Sequence, residues 1–554
     1  MQSDTLPVMA EASHGKQVFS CGGKLKRRIE EARKGKPETM ASSNTEAVDR
    51  ISNLPLPIIH HLMSFLPTKD ATRTSSLSKR WRSIFYSFPI LDFDHFLFEC
   101  SFSRSMPYVQ IREKFLNYLY DSIMLRLDQE NNIQKFRFQT NDHDPEFDPL
   151  IELSINFSVK RNVQELNISI SQSPDQYFTV PQSLYNARSI TVLKLTGSKL
   201  NLSDLLSGCP QIEHLSLQYC DGLKNIKVSS QKLKTLELVC CQGLVFLEIE
   251  AINLESFIYN GDIKPSEVKL TACRFLKTLS MQHCKITENW LEDHISKLLL
   301  LENLALIGCI TLRKVKIFHK QLRKFHFVAC GRVAEVQIDT PMLVSFMYRG
   351  HVTFFRSFNS SGLLKATLTL AEGDGTDDWF VNLWEILKFF GHCKVLKLVY
   401  ISHKDTMFPK DVKDRLLPPL YDLKQLEIEV VKSSVLNYTE LVDTSLWLSP
   451  LLEMLQITSS EEVKSVKFQY EKIDDDDQEP YCCEKHPIQC WHNHLKKVTM
   501  ENFDGIDDQK EKLLKYFSEN AKLLESVEEV SKPFKVSRRV SSTKINKCGP
   551  SMLF

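Results

Sequence analysis

The densest group of side chains able to ligate a metal or act as nucleophiles lies near the end of the sequence: Cys482, Cys483, His486, Cys490, His492 and His494. Thiolate and imidazole are the usual zinc ligands, and a closed site wants them in regularly spaced pairs. Vicinal cysteines followed by irregular gaps do not supply those pairs. The stretch reads as a lead-in to the segment behind it, and no metal or cofactor is expected. Phosphate-loop, nucleophile-elbow, HExxH and paired CxxC patterns are absent, and the other histidines are scattered. No constellation supports catalysis, so the chain is expected not to be an enzyme. The acidic run from Asp474 to Asp477 reads as a solvated insertion.

If the chain does no chemistry, its fold must carry the function. It has 554 residues with 70 basic against 69 acidic side chains, a formal charge of +1. That balance leaves no broad field to hold nucleic acid or an anionic membrane. With 42% hydrophobic residues and 33 Phe there is material for a large interior. No apolar run is long enough to span a bilayer, and no basic-then-apolar leader opens the sequence. A nuclear and/or cytoplasmic location is therefore expected, with the 15 cysteines reduced. Residues 1–46 are rich in Ser, Gly and Lys without apolar periodicity and read as a disordered basic tail; residues 531–554 read as a second disordered tail.

Beyond residue 130 one template recurs: apolar, two variable residues, apolar, one variable, apolar, two variable, then a small or polar residue. Ile212, Leu215, Leu217 and Cys220 fit it, as do Leu233, Leu236, Leu238 and Cys241, and Leu276, Leu279, Met281 and Cys284. Leu301, Leu304, Leu306 and Cys309, then Leu322, Phe325, Phe327 and Cys330, continue it at a period of about 21 to 25 residues, the signature of leucine-rich repeats. A short strand alternates its side chains, so the paired apolar residues face a shared interior while coils stack in parallel. The five cysteines then read as a structural ladder, small residues that tolerate burial. Segments at Ile226, Leu247, Val315 and Val336 predict short strands on the return path. Leu202–Cys209 and Glu288–Leu301, the latter with Thr287 as cap, predict helices, and later insertions predict helices over 379–390 and 440–447.

Ahead of the repeats, residues 47–95 carry helix punctuation and a three-to-four residue apolar rhythm. Pro55 and Pro57 open a run through Ile58, Ile59, Leu62, Met63 and Leu66 that Pro67 ends; Ala71 and Leu77 belong to a second helix, and Trp81, Ile84 and Phe85 to a third. Three short helices bury little, so an exposed apolar surface is expected to need a partner.

This stretch resembles an F-box of the kind that opens many plant F-box proteins with leucine-rich repeats. The match runs through Leu54-Pro55, Ile58, Leu62, Leu66-Pro67-Thr68-Lys69-Asp70-Ala71, Leu77-Ser78-Lys79-Arg80-Trp81-Arg82 and Leu91-Asp92-Phe93-Asp94. The resemblance implies docking onto the Skp-type adaptor, and through it a cullin, of an SCF ubiquitin ligase. Leu54, Pro55, Ile58, Leu62, Leu66, Pro67 and Trp81 would lie on or near that surface. Pro57 stands where the family commonly has an acidic residue, a departure that bears on adaptor affinity. Trp491, His494-Leu495-Lys496-Lys497-Val498, Phe503, Gly505, Leu513, Leu514 and Tyr516 are similar to the FBD domain that closes many such proteins.

The expected architecture is α/β: the F-box at 47–95, a linker helix region at 96–129, and a solenoid with a curved, mostly parallel sheet at 130–470. An acidic, Cys-containing loop at 471–490 and an FBD-like segment at 491–530 follow. Between the inward leucines, Val239, Ile258, Ala305, Ile307, Val328 and Met347 predict a target-binding patch for an unknown protein. The expected function is non-catalytic substrate recognition in the ligase. The alternative is a repeat scaffold uncoupled from ubiquitination.

Overall fold

The computed structural model describes residues 51–530 apart from Pro67, 103–105, 128, 141–146, 171–176, 262–266, 433–435, 460–461, 472–490 and 504–505. The terminal tails, Asp474 to Asp477, and Cys482, Cys483, His486 and Cys490 thus lie outside the described residues. Two compact units divide the chain, Met1–Ile59 and His60–Phe554.

Helix α1 spans Leu56–Met63, α2 Thr68–Thr74 and α3 Lys79–Tyr86. Pro57 is the second residue of α1, where no helical partner exists for a backbone N–H, so proline fits without loss. Ser78 caps α3, its hydroxyl accepting the Trp81 N–H at 3.1 Å. The second helix stops at Thr74, and Leu77, expected within it, stands on the turn beyond.

Ile90–Asp94, the tail of the helical module by sequence, is also the first strand of an 18-stranded sheet. Lys135–Thr140, Glu165–Ile170, Val192–Thr196, His214–Gln218 and Thr235–Val239 follow, each parallel to the last. Ser256–Asn260, Thr278–Gln282, Asn303–Ile307, Lys324–Val328 and Ser345–Gly350 extend the order. Lys365–Leu370, Val395–Ser402, Gln425–Lys432 and Met454–Ser459 complete the parallel run. Glu462–Tyr470 then pairs antiparallel on both sides, with Met454–Ser459 and with Leu495–Glu501, and Ser526–Val530 adds a last parallel strand. The sheet therefore runs on past residue 470 through the FBD-like segment.

Register confirms the inward rows. Leu215, Leu236, Phe257, Leu279, Leu304, Phe325 and Phe346 are successive cross-strand partners, and none is more than 1% exposed. The return paths form two three-stranded parallel sheets, Asn225–Ser229 with Phe246–Glu250 and Glu267–Thr271, and Lys314–Phe318 with Glu335–Asp339 and Phe354–Asn359.

The remaining helices are α4 (His95–Glu99), α5 (Tyr108–Met124), α6 (Asp148–Lys160), α7 (Leu202–Gly208) and α8 (Glu288–Ile295). Toward the end come α9 (Asp377–Leu387), α10 (Lys410–Arg415), α11 (Tyr438–Leu448) and α12 (Asp507–Asn520). Thr287 caps α8 as expected, but the helix ends at Ile295, and Leu298 and Leu301 serve the turn into the next strand. Helix α6 was not visible as a pattern. Its buried face includes Ser154 and Ser158, whose hydroxyls bond the carbonyls one turn back and replace apolar residues in the rhythm. Among the described residues no helix is long and apolar enough to cross a membrane.

The cysteine ladder is present with free thiols. Cys220, Cys241, Cys309 and Cys330 donate to the carbonyls of Leu195, Leu217, Met281 and Leu306 in the preceding coil at 3.3 to 3.6 Å. Cys284 and Cys309 sulfurs lie 3.8 Å apart. Hydrogen bonding among the thiols and then burial push Cys309 and Cys330 upward, which keeps them protonated donors. The residue before each ladder cysteine is left-handed: Tyr219, Cys240, His283, Gly308 and Ala329 have φ between 47° and 63°. That turn aims each N–H at the next coil, as from His283 to the Ile307 carbonyl at 2.8 Å.

Candidate protein-interaction surfaces

In the first unit Leu54 is half-buried while Pro55 and Ile58 are exposed, Ile58 by 48%. In the second, Leu62 and Leu66 are 46% and 42% exposed and Trp81 is half-buried; Pro67 lies outside the described residues. The apolar run expected to share one face of α1 is split: Ile59 and Met63 are buried, whereas Ile58 and Leu62, one helical turn apart, are open. A short helix apolar on both sides can pack one side and leave the other for something else. Phe65 at 73%, Leu77 at 67% and Leu56 at 44% are also exposed, positions that apolar spacing alone does not mark as surface. Leu77, expected within α2, lies on the turn beyond Thr74, where that helix ends. His60 ties α1 to α3, its Nε2 lying 3.3 Å from both the Ile84 carbonyl and the Ser87 hydroxyl, and burial lowers its pKa.

The second surface is the face of the main sheet opposite the leucine interior. Ile258, Ser280, Ala305, His326 and Met347 form one row of cross-strand partners. Val239, Asn260, Gln282, Ile307, Val328 and Arg349 form the row beside it. The six predicted positions therefore fall in two adjacent rows. Ile307 and Val328 are direct neighbours, but Ser280, Asn260 and Gln282 set Val239 and Ile258 apart from Ala305 and Ile307, and His326 stands between Ala305 and Met347, so the six are not one continuous apolar patch. Val239 and Ala305 are buried by their neighbours, and Ile258, Ile307, Val328 and Met347 are half-exposed.

The polar residues between them are largely uncharged. Gln282 Nε2 donates to Ser280 Oγ at 3.0 Å, and the buried Asn260 Oδ1 has no hydrogen-bond partner among the described residues. Burial first, and Lys324 second, depress His326 and favour its neutral form. Farther along the sheet the face becomes ionic, with Lys397 paired to Glu429 at 2.6 Å and Lys365 to Glu427 at 3.6 Å. The middle of the face thus suits an uncharged, partly apolar segment, and its flank does not.

Near the end, Trp491 stacks on His492 at 4.0 Å between ring centroids and packs on Tyr516 and Phe517. His492 is therefore part of an aromatic closure. Among the described residues no group of three His, Cys, Asp or Glu side chains could hold a metal ion.

Comparison with known proteins agrees with this geometry. The family described as At1g61320/AtMIF1, LRR domain, matches residues 159–266 and 262–552, and the F-box domain family matches residues 51–93. A relative from Arabidopsis thaliana named as an F-box/LRR-repeat protein is 29% identical over 302 residues, 48% of this chain and 60% of the relative. F-box/LRR-repeat protein 13 of the same plant is 27% identical over 338 residues, 53% of this chain and 70% of the relative. An F-box/FBD/LRR-repeat protein, also from Arabidopsis thaliana, is 27% identical over 237 residues, 36% of this chain and 49% of the relative. The chain thus spans between about half and 70% of these relatives' lengths.

Proposed function

Because the chain belongs to the At1g61320/AtMIF1 leucine-rich-repeat family and carries an F-box domain at its front, we propose that it is a non-catalytic substrate-recognition subunit of an SCF-type ubiquitin ligase. The F-box would hold the Skp-type adaptor and through it a cullin. The open face of the sheet, at Ile258, Ile307, Val328 and Met347, with Val239 and Ala305 covered beside them, would hold a target protein. The mechanism is proximity: a target tethered near the charged ubiquitin-conjugating enzyme reacts at a raised effective concentration, without chemistry from this chain. The setting is the nucleus and/or the cytoplasm.

The observation that carries this reading is the exposure of Leu62, Phe65, Leu66 and Leu77 in a molecule whose sheet hides its leucines almost completely. An apolar surface of this kind on a short helical module is stabilised when a partner covers it. Replacing Leu62 and Leu77 together by Asp is expected to abolish co-purification with a Skp-type adaptor while leaving the far-ultraviolet circular dichroism of the sheet unchanged. Adaptor capture at wild-type strength by that variant would remove the assignment, and the scaffold reading would take its place.

A further inference from the structure

Within the second unit two arginines are buried along the path from the end of α3 to the sheet. Arg126 is 4% and Arg161 8% exposed, and burial brings the Arg126 guanidinium down to about 10, leaving it charged at neutral pH. Its hydrogen-bond partners are carbonyls. Nη1 donates to Ser122 O at 2.8 Å within its own chain turn, and Nη2 to Phe85 O at 3.0 Å at the end of α3. The guanidinium also lies over the Phe85 ring, 4.3 Å from its centroid.

Arg161 continues the path. Its Nη2 donates to the carbonyls of Arg126 and Leu127 at 3.1 and 2.5 Å, and its own carbonyl accepts the Ile133 N–H at 2.9 Å where the chain enters strand Lys135–Thr140. Burying a guanidinium against neutral carbonyls is costly, and a leucine or methionine would fill the space more cheaply. What an apolar side chain lacks is direction: a planar fork bonded to two elements fixes the angle between them.

We infer that Arg126 and Arg161 form a strut that locks the direction of α3 to the first strands of the sheet. The lock is independent of any ligase. Its consequence, a fixed path from adaptor to target that selects which lysines receive ubiquitin, rests on the function proposed above.

The test uses the full chain with fluorophores placed by noncanonical amino acids at Arg82 and Ser361, and reads the distribution of distances between them. Arg126→Met is expected to broaden that distribution about twofold, Arg161→Met to broaden it from the other end, and Arg126→Lys to recover part of the loss. Hydrogen exchange of the sheet amides reports whether each variant keeps its repeats. Distributions as narrow as wild type in both methionine variants would overturn the strut. In a ligase assembled with the adaptor, the cullin and a charged conjugating enzyme, the strut variants are expected to spread ubiquitin over more lysines of this chain. Failure of the wild-type chain to bind the adaptor, with a narrow distance distribution, would overturn the ligase reading and leave the strut standing.

Discussion

Within the repeats Leu215, Leu236, Leu279 and Leu304 are 0 to 1% exposed, whereas the helical module leaves Leu62, Leu66 and Leu77 exposed by 42 to 67%. The residue type is the same and the local sequence equally apolar, so composition does not explain the difference. Each coil of the repeat array is covered by the next, and stability accumulates from such neighbour interfaces. The helical module has no successive copy of itself, and three helices of seven or eight residues enclose too little volume to hide both their faces. Repetition lets the array complete its own surface, while among the described residues the module leaves part of its apolar surface uncovered.

Matched truncations break or sharpen that contrast most. Leu279→Ala removes a fully covered side chain and is expected to cost about 3 to 4 kcal/mol by loss of transfer energy plus a cavity. Leu77→Ala is expected to stay within about 0.5 kcal/mol while weakening adaptor binding by roughly tenfold, the range of a contact that matters to an interface. Urea midpoints and an adaptor titration measure the two effects. Equal destabilisation by both would mean that Leu77 belongs to a folded core, and the contrast would be void.

The region of the last described strands tests the same idea, since there side chains join helices rather than like coils. Here Lys413 Nζ bonds Asp443 Oδ2 at 2.7 Å and Thr444 Oγ1 at 3.0 Å, and the Tyr516 hydroxyl donates to Asp443 Oδ1 at 2.8 Å. Burial and then Asp443 raise the Tyr516 pKa, which keeps the phenol protonated as a donor. The carboxylate thus joins α10 and α11 to α12. Asp443→Ala is expected to cost about 1 to 2 kcal/mol, discounted because the carboxylate is partly in water, and to raise amide exchange in α12 before the central strands respond.

The inward rows were legible because one spacing repeats over many coils and one covalent geometry enforces it. The cysteines at Cys220, Cys241, Cys284, Cys309 and Cys330 were legible for the same reason. The antiparallel strand Glu462–Tyr470 was not: its burial sequence runs without clean alternation, and its pairing with Leu495–Glu501 slips between Gln469 and Tyr470. On the surfaces, sequence located the rows but not their access. Whether Met63 is covered and Leu62 open is a matter of which side of α1 meets neighbours, and a run apolar on both sides does not encode that. Val239 and Ala305 show the converse, outward positions closed by the strands beside them.

The smallest effect concerns how the array keeps its register. Immediately before successive strands stand Glu213, Lys234, Glu255, Lys277, Glu302 and Arg323, and from Lys234 onward each has its backbone N–H bonded to the carbonyl of the one before it at 2.8 or 2.9 Å. Charge alternates along this row, and Lys234 meets Glu213 at 2.6 Å and Lys277 meets Glu255 at 2.8 Å. A slip by one coil would set like charges over one another, so the row favours one alignment more than it adds stability. Hydrogen bonding to the lysines holds Glu213 and Glu255 below the ordinary carboxylate range, and the same bonds raise Lys234 and Lys277. The stabilisation is therefore present at neutral pH, is lost as pH falls through the lowered carboxylate values, and is lost again as pH rises through the raised lysine values. Lys234→Ala is expected to lower the urea midpoint only slightly and Lys234→Glu more, with both differences shrinking in about 1 M salt, where screening reaches about 3 Å. A salt-independent loss in Lys234→Glu would place the effect in packing of the lysine stem and take register control away from the charges.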